Sequence, residues 1–451
     1  MNHLLIMSGE PSHIVSASVR KILAGCGVTA ASKILVGVSG GVDSMVLLYV
    51  LHQNGYNVTA AHVNFNLRGH ESDNDALFVS KWCLDKGIPY LELSRDTKAY
   101  AEANKLNTQS AARILRYDWW EYLVHTLDFE YVATGHHLDD TIETVFLNLF
   151  RGTGLKGLRG IPPSRDFYIR PLLDCSRSTI ESYAAAFDIP FRTDASNLTD
   201  HYQRNRLRHH LIPLLEEFYP GFHSSMKHTL HRVNVEWDDW ETAYNDWIST
   251  NIRFWQDGFL IEGHQLRKAF LLRWLEEKGF PWMLASDFLN SPEHETGQIL
   301  RYQHSSLSRT REGYYFAETL PTADFFIQKP GQHSIGNYIL AIDEIPSSEF
   351  LQDMDPWTAY MNSEVVSWPL HIRSIQPGDH FQPFGMKGKS KKIQDLLVDL
   401  KLERFEKERQ LILANHEHIL WVVGLRLDER AKVDPGTKQI YKVKITSVEK
   451  D

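Results

Sequence analysis

The chain has few cysteines and no long apolar segment. Its 451 residues include 3 cysteines, Cys26, Cys83 and Cys175, and no two of them form a CxxC pair. A small fold held together by disulfides is therefore excluded. No apolar run reaches about 18 residues, and no signal-peptide pattern is present, so neither a membrane span nor secretion is predicted. We expect a cytoplasmic protein with reduced thiols that makes no contact with a membrane.

The chain also lacks an excess of positive charge. Its formal net charge is −9, which argues against a protein that coats nucleic acid without specificity. The last part is more basic, with 16 basic and 12 acidic residues between His371 and Asp451. Four lysines there lie close to Phe381 and Phe384, a combination that suits RNA backbone and base contacts, although a solvated turn would look the same. These lysines are Lys387, Lys389, Lys391 and Lys392.

Short β-branched runs alternate with longer segments of helical periodicity in the first part of the chain. The runs begin at residues 33, 57, 88 and 130. This alternation predicts an α/β fold, with a Rossmann-like parallel sheet covered by helices. Ligands of such sheets bind beyond the carboxyl ends of the strands. Chemistry is therefore expected at residues 39–44, 62–68, 94–96 and 135–140.

A glycine-rich turn follows the first run and leads into a helical segment. Backbone N–H groups of such a turn, together with the helix N-terminus, bind phosphate. No lysine ends the turn, so it is not a Walker A loop. An aspartate in an anion site is best explained by Mg²⁺ that arrives with a nucleotide. We predict that the turn binds ATP through Ser39, Gly40, Gly41, Val42, Asp43 and Ser44, with Asp43 facing the metal.

The turn SGGVDS resembles the pyrophosphatase loop (PP-loop) of N-type ATP pyrophosphatases, which cleave ATP to AMP and pyrophosphate. Other segments resemble the bacterial tRNA(Ile)-lysidine synthetase family in order and spacing. They are HVNFNLRG from His62, SAARILRY from Ser110, GHHLDDTIET from Gly135, IRPLL at 169–173, DASN at 194–197, RNRLR at 204–208 and the tail PGDHFQPFGMKGKSKKIQDLLVDLK. Residues 222–360 carry little of the resemblance.

The resemblance implies a ligase that joins free L-lysine to the wobble cytidine of the isoleucine tRNA with a CAU anticodon. ATP adenylates position 2 of the base, and lysine then displaces AMP to give lysidine. The amino-acid specificity of the tRNA thereby changes from methionine to isoleucine, and the codon that it reads changes from AUG to AUA. ATP with Mg²⁺ is the implied cofactor, and no tightly bound prosthetic group is expected. The sequence leaves open whether the chain forms a homodimer.

Acidic residues cluster at the start of the segment LDDTIETVFLNLF. Its apolar residues have helical spacing, which places Asp140 and Glu143 on one face with Asp139 beside them. Such carboxylates can hold a cation, or they can simply decorate the first turn of a helix. The resemblance associates this motif with the lysine substrate. We therefore predict that Asp139, Asp140 and Glu143, together with Arg206, bind lysine.

Arginines and histidines complete the predicted site. Arg113 and Arg116 share a helical face and can bind ATP or tRNA. We assign Arg113 to ATP and Arg116 to tRNA. His62 leaves the second strand and is expected in the nucleotide pocket. The strip Arg204, Arg206 and Arg208 is either a tRNA contact or a wall of the lysine site; we assign Arg204 and Arg208 to tRNA.

Proton transfer from the lysine amine is needed before it can attack. We predict Asp43, His136 and Asp140 as catalytic residues. The sequence does not identify the base, for which His136, His137 and the nearby carboxylates are all candidates by type and position.

Three domains are predicted. A PP-loop synthetase domain that binds ATP and lysine covers 1–218, an intermediate region that is mainly helical and then forms strands and contacts tRNA covers 219–360, and a small, basic α+β domain that binds tRNA covers 361–451. Residues 222–300 are expected to be all-helical, with a core stripe of Trp237, Trp240 and Trp247.

Two other functions compete with this reading of the sequence. Sulfur transfer to tRNA requires reactive cysteines or an iron–sulfur cluster, and the isolated cysteines argue against it. An RNA-binding module with a decayed nucleotide loop would bind tRNA without releasing AMP. The intact SGGVDS and DDxxE patterns argue against decay.

Overall fold

The computed structural model describes residues 11–192, 203–255, 258–263, 266–291, 297–318, 324–335, 338–350 and 355–447. The chain divides into two units, residues 1–240 and 241–451. The finer division into three domains stays a prediction. The DASN segment at 194–197 lies outside the described residues.

The first unit contains the predicted α/β fold. Its helices are α1 (Pro11–Gly25), α2 (Val42–Gln53), α3 (His70–Lys86), α4 (Thr97–Ala103), α5 (Thr108–Leu127), α6 (Leu138–Phe150), α7 (Leu155–Leu158), α8 (Arg177–Ala186), α9 (Gln203–Arg206), a π-helical turn (Leu207–Leu211), α10 (Ile212–Phe218) and the start of α11 (Phe222–Asn251). Its strands are β1 (Lys33–Gly37), β2 (Asn57–Asn64), β3 (Tyr90–Ser94), β4 (Tyr131–Ala133), β5 (Ser164–Arg165) and β6 (Tyr168–Ile169).

The strands form a sheet in the order β3-β2-β1-β4-β6-β5, and β1 to β4 and β6 run parallel. The predicted parallel sheet is therefore confirmed. The chain builds outward from β1 through β2 and β3 and then crosses to the other side of β1 to form β4. This reversal is the topological switch point, where open α/β sheets bind their ligands.

The core of the sheet explains why its central strands are nearly all apolar. Ile34, Leu35 and Val36 of β1 are fully buried, as expected for a parallel strand that is covered on both faces. Trp120 of α5 packs directly over Gly37, where a Cβ atom would come within 2.4 Å of the indole ring. A larger residue at position 37 would therefore displace this helix from the sheet.

The predicted apolar stripe of α6 is buried except at its end, where Leu149 is 52% exposed. Leu138, Ile142 and Val145 lie in one buried cluster with Ile212 of α10 and Leu230 of α11. The apolar stripe thus turns inward, and the acidic first turn of α6 is left at the carboxyl edge of the sheet. Within the described part of the chain, no helix has the length and apolar character that a membrane crossing requires.

The second unit combines short helices with antiparallel sheets. Its helices are the end of α11, α12 (Lys268–Glu277), α13 (Trp282–Asn290), α14 (Ile393–Asp399) and α15 (Arg404–Arg409), with 3-10 turns at Ser347–Glu349 and Glu429–Ala431. Its strands are β7 (Ile252–Trp255), β8 (Gly258–Glu262), β9 (Ile299–Tyr302), β10 (Ser305–Arg309), β11 (Gly313–Glu318), β12 (Asp324–Ile327), β13 (Gly331–Ile335), β14 (Tyr338–Pro346), β15 (Thr358–Asn362), β16 (Leu370–Ser374), β17 (His380–Phe381), β18 (Lys391–Lys392), β19 (Leu411–Ala414), β20 (Ile419–Val422), β21 (Arg426–Leu427) and β22 (Gln439–Ser447).

The all-helical prediction for residues 222–300 is wrong in its middle and at its end. β7 and β8 form a hairpin, and β9 belongs to the same sheet, whose order is β7-β8-β11-β10-β9. Phe254 and Phe259 pack against each other across the hairpin, with ring centroids 5.6 Å apart. Trp237 and Trp247 are buried as predicted, whereas Trp240 is only half-buried.

Candidate active site

A cavity of about 600 Å³ opens at the carboxyl ends of β1, β2 and β4, beside the switch point. Predicted site residues from widely separated segments line it. They are Ser39, Asp43, Ser44, His62, Arg116, His136, Asp140 and Arg204. Arg68, Tyr117 and Trp120 are also among the lining residues. The cavity therefore combines a phosphate-binding turn with carboxylates, imidazoles and guanidinium groups.

The glycine-rich turn is held in shape by its own serines. The Ser39 backbone N–H donates to Ser44 Oγ at 3.1 Å, and Ser44 Oγ donates to the Gly41 carbonyl at 2.9 Å. Gly40 has a φ of +90°, which favours glycine. Gly135, just after β4, lies against the turn, and a Cβ there would be 3.2 Å from the Ser44 nitrogen. The turn thus leads into the N-terminus of α2, the geometry that binds phosphate.

Asp43 is the acidic residue of this turn. Arg177 Nη1, at the start of α8, donates to Asp43 Oδ2 at 2.6 Å. Among the described residues the buried Asp43 Oδ1 has no hydrogen-bond partner, and His137 Nε2 lies 3.8 Å away. Burial raises the pKa of Asp43, although His137 and Arg177 act in the opposite direction. A buried carboxylate oxygen without a donor beside a phosphate-binding turn fits a cation that arrives with the nucleotide.

His137 links the carboxylates around the start of α6. Its ring nitrogens lie 3.5 Å from Asp139 Oδ2 and 3.5 Å from Asp140 Oδ2. Burial alone would lower the pKa of His137, but Asp139, Asp140 and Asp43 together raise it. Its backbone N–H donates to Asp140 Oδ2 at 3.1 Å, which caps the helix. The imidazolium form of His137 is therefore favoured by the carboxylates around it.

Asp139 is not among the residues that line the cavity. Its Oδ2 accepts from the Arg177 backbone N–H at 2.8 Å, and its Oδ1 lies 3.2 Å from His223 Nε2. Burial would raise the pKa of Asp139, but His137, His223 and the Arg177 amide hold it well below its usual range. Asp139 is thus an ionised carboxylate with partners on both oxygens.

Glu143 is fully buried and lies between two arginines. Arg204 Nε donates to its Oε2 at 2.7 Å, and Arg208 Nε donates to its Oε1 at 2.7 Å. Arg208 Nη2 also reaches Asp140 Oδ1 at 3.4 Å. Two guanidinium groups therefore neutralise this buried carboxylate, as a buried charge requires. Glu143 does not line the cavity, but it fixes Arg204 in the cavity wall.

The cavity histidines are held by short contacts to neighbouring oxygens. Thr134 Oγ1 lies 2.8 Å from His136 Nδ1, and the Val38 carbonyl oxygen lies 2.8 Å from His62 Nδ1. Burial lowers the pKa of His136 to about 4; Asp140 opposes this shift, while Arg170 and other nearby arginines reinforce it. Burial also lowers the pKa of His62. Both rings are therefore neutral at pH 7.

The arginines of α5 differ in position. Arg116 lines the cavity and packs over Trp120 at 5.5 Å, and its Nε is buried without a hydrogen bond to any described residue. Arg113 is exposed and lies over the Tyr117 ring at 4.7 Å, outside the cavity lining. Burial lowers the pKa of Arg116. Arg116 is thus the better placed of the pair to meet a ligand in the cavity.

Arg206 does not line this cavity, and the tail lysines belong to the second unit. Arg206 lines a second cavity of about 580 Å³, between α6 and the segment from α9 to α10. In the second unit Lys387, Lys389 and Lys392 are exposed, whereas Lys391 is half-buried and pairs with Asp399 at 2.5 Å. The predicted aromatic partner Phe381 is a core residue and cannot stack on a base, although Phe384 is exposed.

Sequence reasoning missed Arg177 and His223. Arg177 joins Asp43 of the loop to Asp139 of α6, and His223 joins Asp139 to Glu216 at 2.9 Å. Arg177 follows the IRPLL segment by a few residues, and the N-cap serine before it was a detectable helix start. Nothing local indicates that either side chain would meet a carboxylate from another segment.

The fold and the cavity define a PP-loop nucleotide-binding protein, and comparison with known proteins agrees. The PP-loop domain family matches residues 11–215, and the TilS substrate C-terminal domain family matches residues 370–444. The chain is 36% identical over 423 residues to a tRNA(Ile)-lysidine synthase of Bacteroides thetaiotaomicron, covering 92% of this chain and 95% of that protein. It is 35% identical over 424 residues to the tRNA(Ile)-lysidine synthase of Parabacteroides distasonis, covering 90% of this chain and 94% of that protein. It is 32% identical over 422 residues to one of Porphyromonas gingivalis, covering 89% of this chain and 91% of that protein. The chain belongs to the tRNA(Ile)-lysidine synthase family.

Proposed function

We propose that this protein ligates L-lysine to position 2 of the wobble cytidine in the isoleucine tRNA with a CAU anticodon. ATP first adenylates the base and releases pyrophosphate, and the lysine ε-amine then displaces AMP to give lysidine. The observation that carries the proposal is the single cavity in which the glycine-rich turn with Asp43 faces Asp140 and Arg204. Membership of the family gives the reaction class.

The adenylation half uses the turn and its surroundings. Backbone N–H groups of the turn and the α2 N-terminus bind the leaving pyrophosphate, and Arg116 lies across the cavity to offset further negative charge. Asp43 would hold Mg²⁺ that arrives with ATP, because its buried Oδ1 lacks a donor among the described residues; the ion would supply positive charge for the phosphates. Binding in this pocket brings the α-phosphorus close to the base oxygen.

The lysine half uses the other side of the cavity. Asp140 gives a carboxylate for a lysine ammonium group, and Arg204 gives a cation for the lysine carboxylate. This placement favours the lysine-site alternative for Arg204 over a tRNA contact. Glu143 acts through Arg204 and Arg208, which it holds in position.

The amine must lose a proton before it can attack. His136 lines the cavity and is neutral at pH 7, with its Nδ1 engaged by Thr134 and Nε2 as the remaining ring nitrogen. We propose that His136 Nε2 accepts the proton that the attacking amine loses as the new carbon–nitrogen bond forms, because with a pKa of about 4 the ring is too weak a base to deprotonate a free ammonium group. His137 is a poorer candidate, because its raised pKa favours the protonated form and it does not line the cavity.

Sulfur transfer, the rival reaction, is disfavoured by the state of the thiols. Cys83 and Cys175 are buried, and Cys26 is half-buried. Burial raises the pKa of all three thiols, that of Cys83 to about 11, so the reactive thiolate is suppressed. None of these cysteines lines the described cavity. A Cys175→Ser variant should therefore keep full activity.

Labelled lysine tests the proposed reaction directly. The purified protein is incubated with ATP, Mg²⁺, labelled lysine and bacterial tRNA, and the RNA is then treated with mild base. An ester-linked lysine would be released, whereas the carbon–nitrogen bond of lysidine would survive. We expect stable, ATP-dependent label on RNA with one AMP released per lysine. ATP cleavage without stable label would contradict the proposal.

A further inference from the structure

The second cavity forms a groove on the surface of the first unit. We call it the α6–α10 groove; its lining includes Leu147, Phe150, Arg151, Arg206, Leu207 and Leu214. The mechanism proposed above uses none of these residues. The floor is apolar, and basic groups stand at its edge.

The groove exposes groups that soluble proteins normally bury or pair. Phe150 is 65% exposed, and Leu214 of α10 is also exposed. Arg151 and Arg206 are exposed and form no ion pair with any described residue. An exposed aromatic ring beside such guanidinium groups is the combination that binds single-stranded nucleic acid, because the ring stacks on a base and the cations meet phosphates.

The groove and the active-site cavity share a wall. Asp140 lines the cavity and Leu147 and Phe150 line the groove, all on α6. At 1.5 Å per residue, Leu147 lies about 10 Å and Phe150 about 15 Å along the helix axis from Asp140. Arg204 at the cavity and Arg206 at the groove are two residues apart on α9. A polynucleotide with one base in the cavity can therefore reach the groove with a nearby nucleotide of the same strand.

We propose that the α6–α10 groove binds a nucleotide of the tRNA anticodon loop close to the wobble cytidine. Its base stacks on Phe150, and its phosphate meets Arg151 and Arg206. The inference rests on the proposed function, because it takes the wobble base to enter the cavity. The groove would then hold the loop so that a single base is presented for adenylation.

Binding of the isolated anticodon stem-loop tests the groove without the chemistry. The dissociation constant of the labelled CAU stem-loop is measured with the full chain, without ATP or lysine, for wild type, Phe150→Ala and Phe150→Leu. Tyr122→Ala, at a 61% exposed aromatic of α5 outside the groove, is the matched control. Because Phe150 is exposed, these variants should unfold at the wild-type temperature, which is measured alongside.

We expect Phe150→Ala to weaken binding about tenfold, in line with the loss of one stacked base, and Tyr122→Ala to bind as wild type. Phe150→Leu keeps apolar area but loses the aromatic face, so it should bind as weakly as Phe150→Ala. Changing Arg151 and Arg206 to Gln should reduce the slope of log affinity against log salt by about 0.7 for each phosphate that the protein no longer neutralises.

Wild-type binding by Phe150→Ala would overturn the proposal. Wild-type binding by Phe150→Leu alone would also overturn it, because the groove would then provide apolar docking, as for a protein partner. Lysidine formation on full-length tRNA by the wild-type protein distinguishes a failure of the groove assignment from a failure of the proposed function. If lysidine forms but the groove variants bind normally, the groove assignment fails and the function stands; if no lysidine forms, the proposed function itself fails.

Discussion

His223 should make the stability of the first unit depend on pH. Its Nε2 lies 3.2 Å from Asp139 Oδ1, and its Nδ1 lies 2.9 Å from Glu216 Oε2. Both ring nitrogens therefore face carboxylates, an arrangement that suits the imidazolium form. The hydrogen bond with Asp139, helped by Glu216 and opposed by burial, raises the pKa of His223 from 6.5 to about 9.

The difference between these two pKa values corresponds to about 3 kcal/mol of preference for the charged form in the folded state. The His223 side chain is 28% exposed and that of Glu216 is 40% exposed, so solvent screening reduces the expected effect to about 1–2 kcal/mol. Because the folded-state pKa is the higher one, this stabilisation is fully present below pH 6.5. It is lost as the pH rises through about 9.

Urea denaturation of wild type and His223→Gln across this range measures the effect. At about pH 6 the variant should have a free energy of unfolding lower by about 1–2 kcal/mol, and the two proteins should converge above about pH 9. His228→Gln, at an exposed histidine of α11, is the matched control and should follow wild type. A deficit of the same size at every pH would refute the reasoning, since it would reflect poorer packing and not the absence of a charge.

Further predictions concern the nucleotide site and the tail. Asp43→Ala should abolish AMP release while leaving tRNA affinity unchanged, and wild-type turnover would refute its role. Arg177→Gln removes the cation paired with Asp43, so the Mg²⁺ concentration for half-maximal binding of ATP should fall; a rise would show that Arg177 supports the site. Changing Lys389 and Lys392 to Gln should raise the Michaelis constant for tRNA and make it less dependent on salt. Lys391→Gln should raise this constant less, because Lys391 already pairs with Asp399.

The position of the active site could be predicted because it depends on local patterns. Buried apolar runs marked the parallel strands, and the switch point of such a sheet places the residues after β1 and β4 side by side. The turn with Asp43 and the start of α6 with Asp140 were therefore expected to meet, and they line one cavity. The β7–β8 hairpin was missed because the prediction extends the helical spacing of Trp237, Trp240 and Trp247 beyond residue 251, where α11 ends.

The partners of each charge could not be predicted, because they come from distant segments. Glu143 and Arg204 are 61 positions apart, and Asp43 and Arg177 are 134 apart. Residue type and spacing along one helix give no information on such pairs. The sequence also does not show which aromatic residue of the tail cluster is exposed. Phe381 and Phe384 are the same residue type, but Phe381 is buried and Phe384 is exposed.

These distant partners change what the acidic motif can do. Taken alone, the first turns of α6 offer carboxylates at Asp139, Asp140 and Glu143, which would form a strongly negative site. In the structure, arginines neutralise Glu143, and His223 and the Arg177 amide engage Asp139, while Asp140 lines the cavity together with Asp43. Asp75 also lines the cavity, but it pairs with Arg68 at 2.9 Å and with Arg192 at 2.7 Å, which leaves Asp43 and Asp140 as the two carboxylates that we propose for the nucleotide and for lysine. That number suits a reaction with one cation at the phosphates and one ammonium group at the amino acid, because further uncompensated carboxylates would repel both ATP and the tRNA.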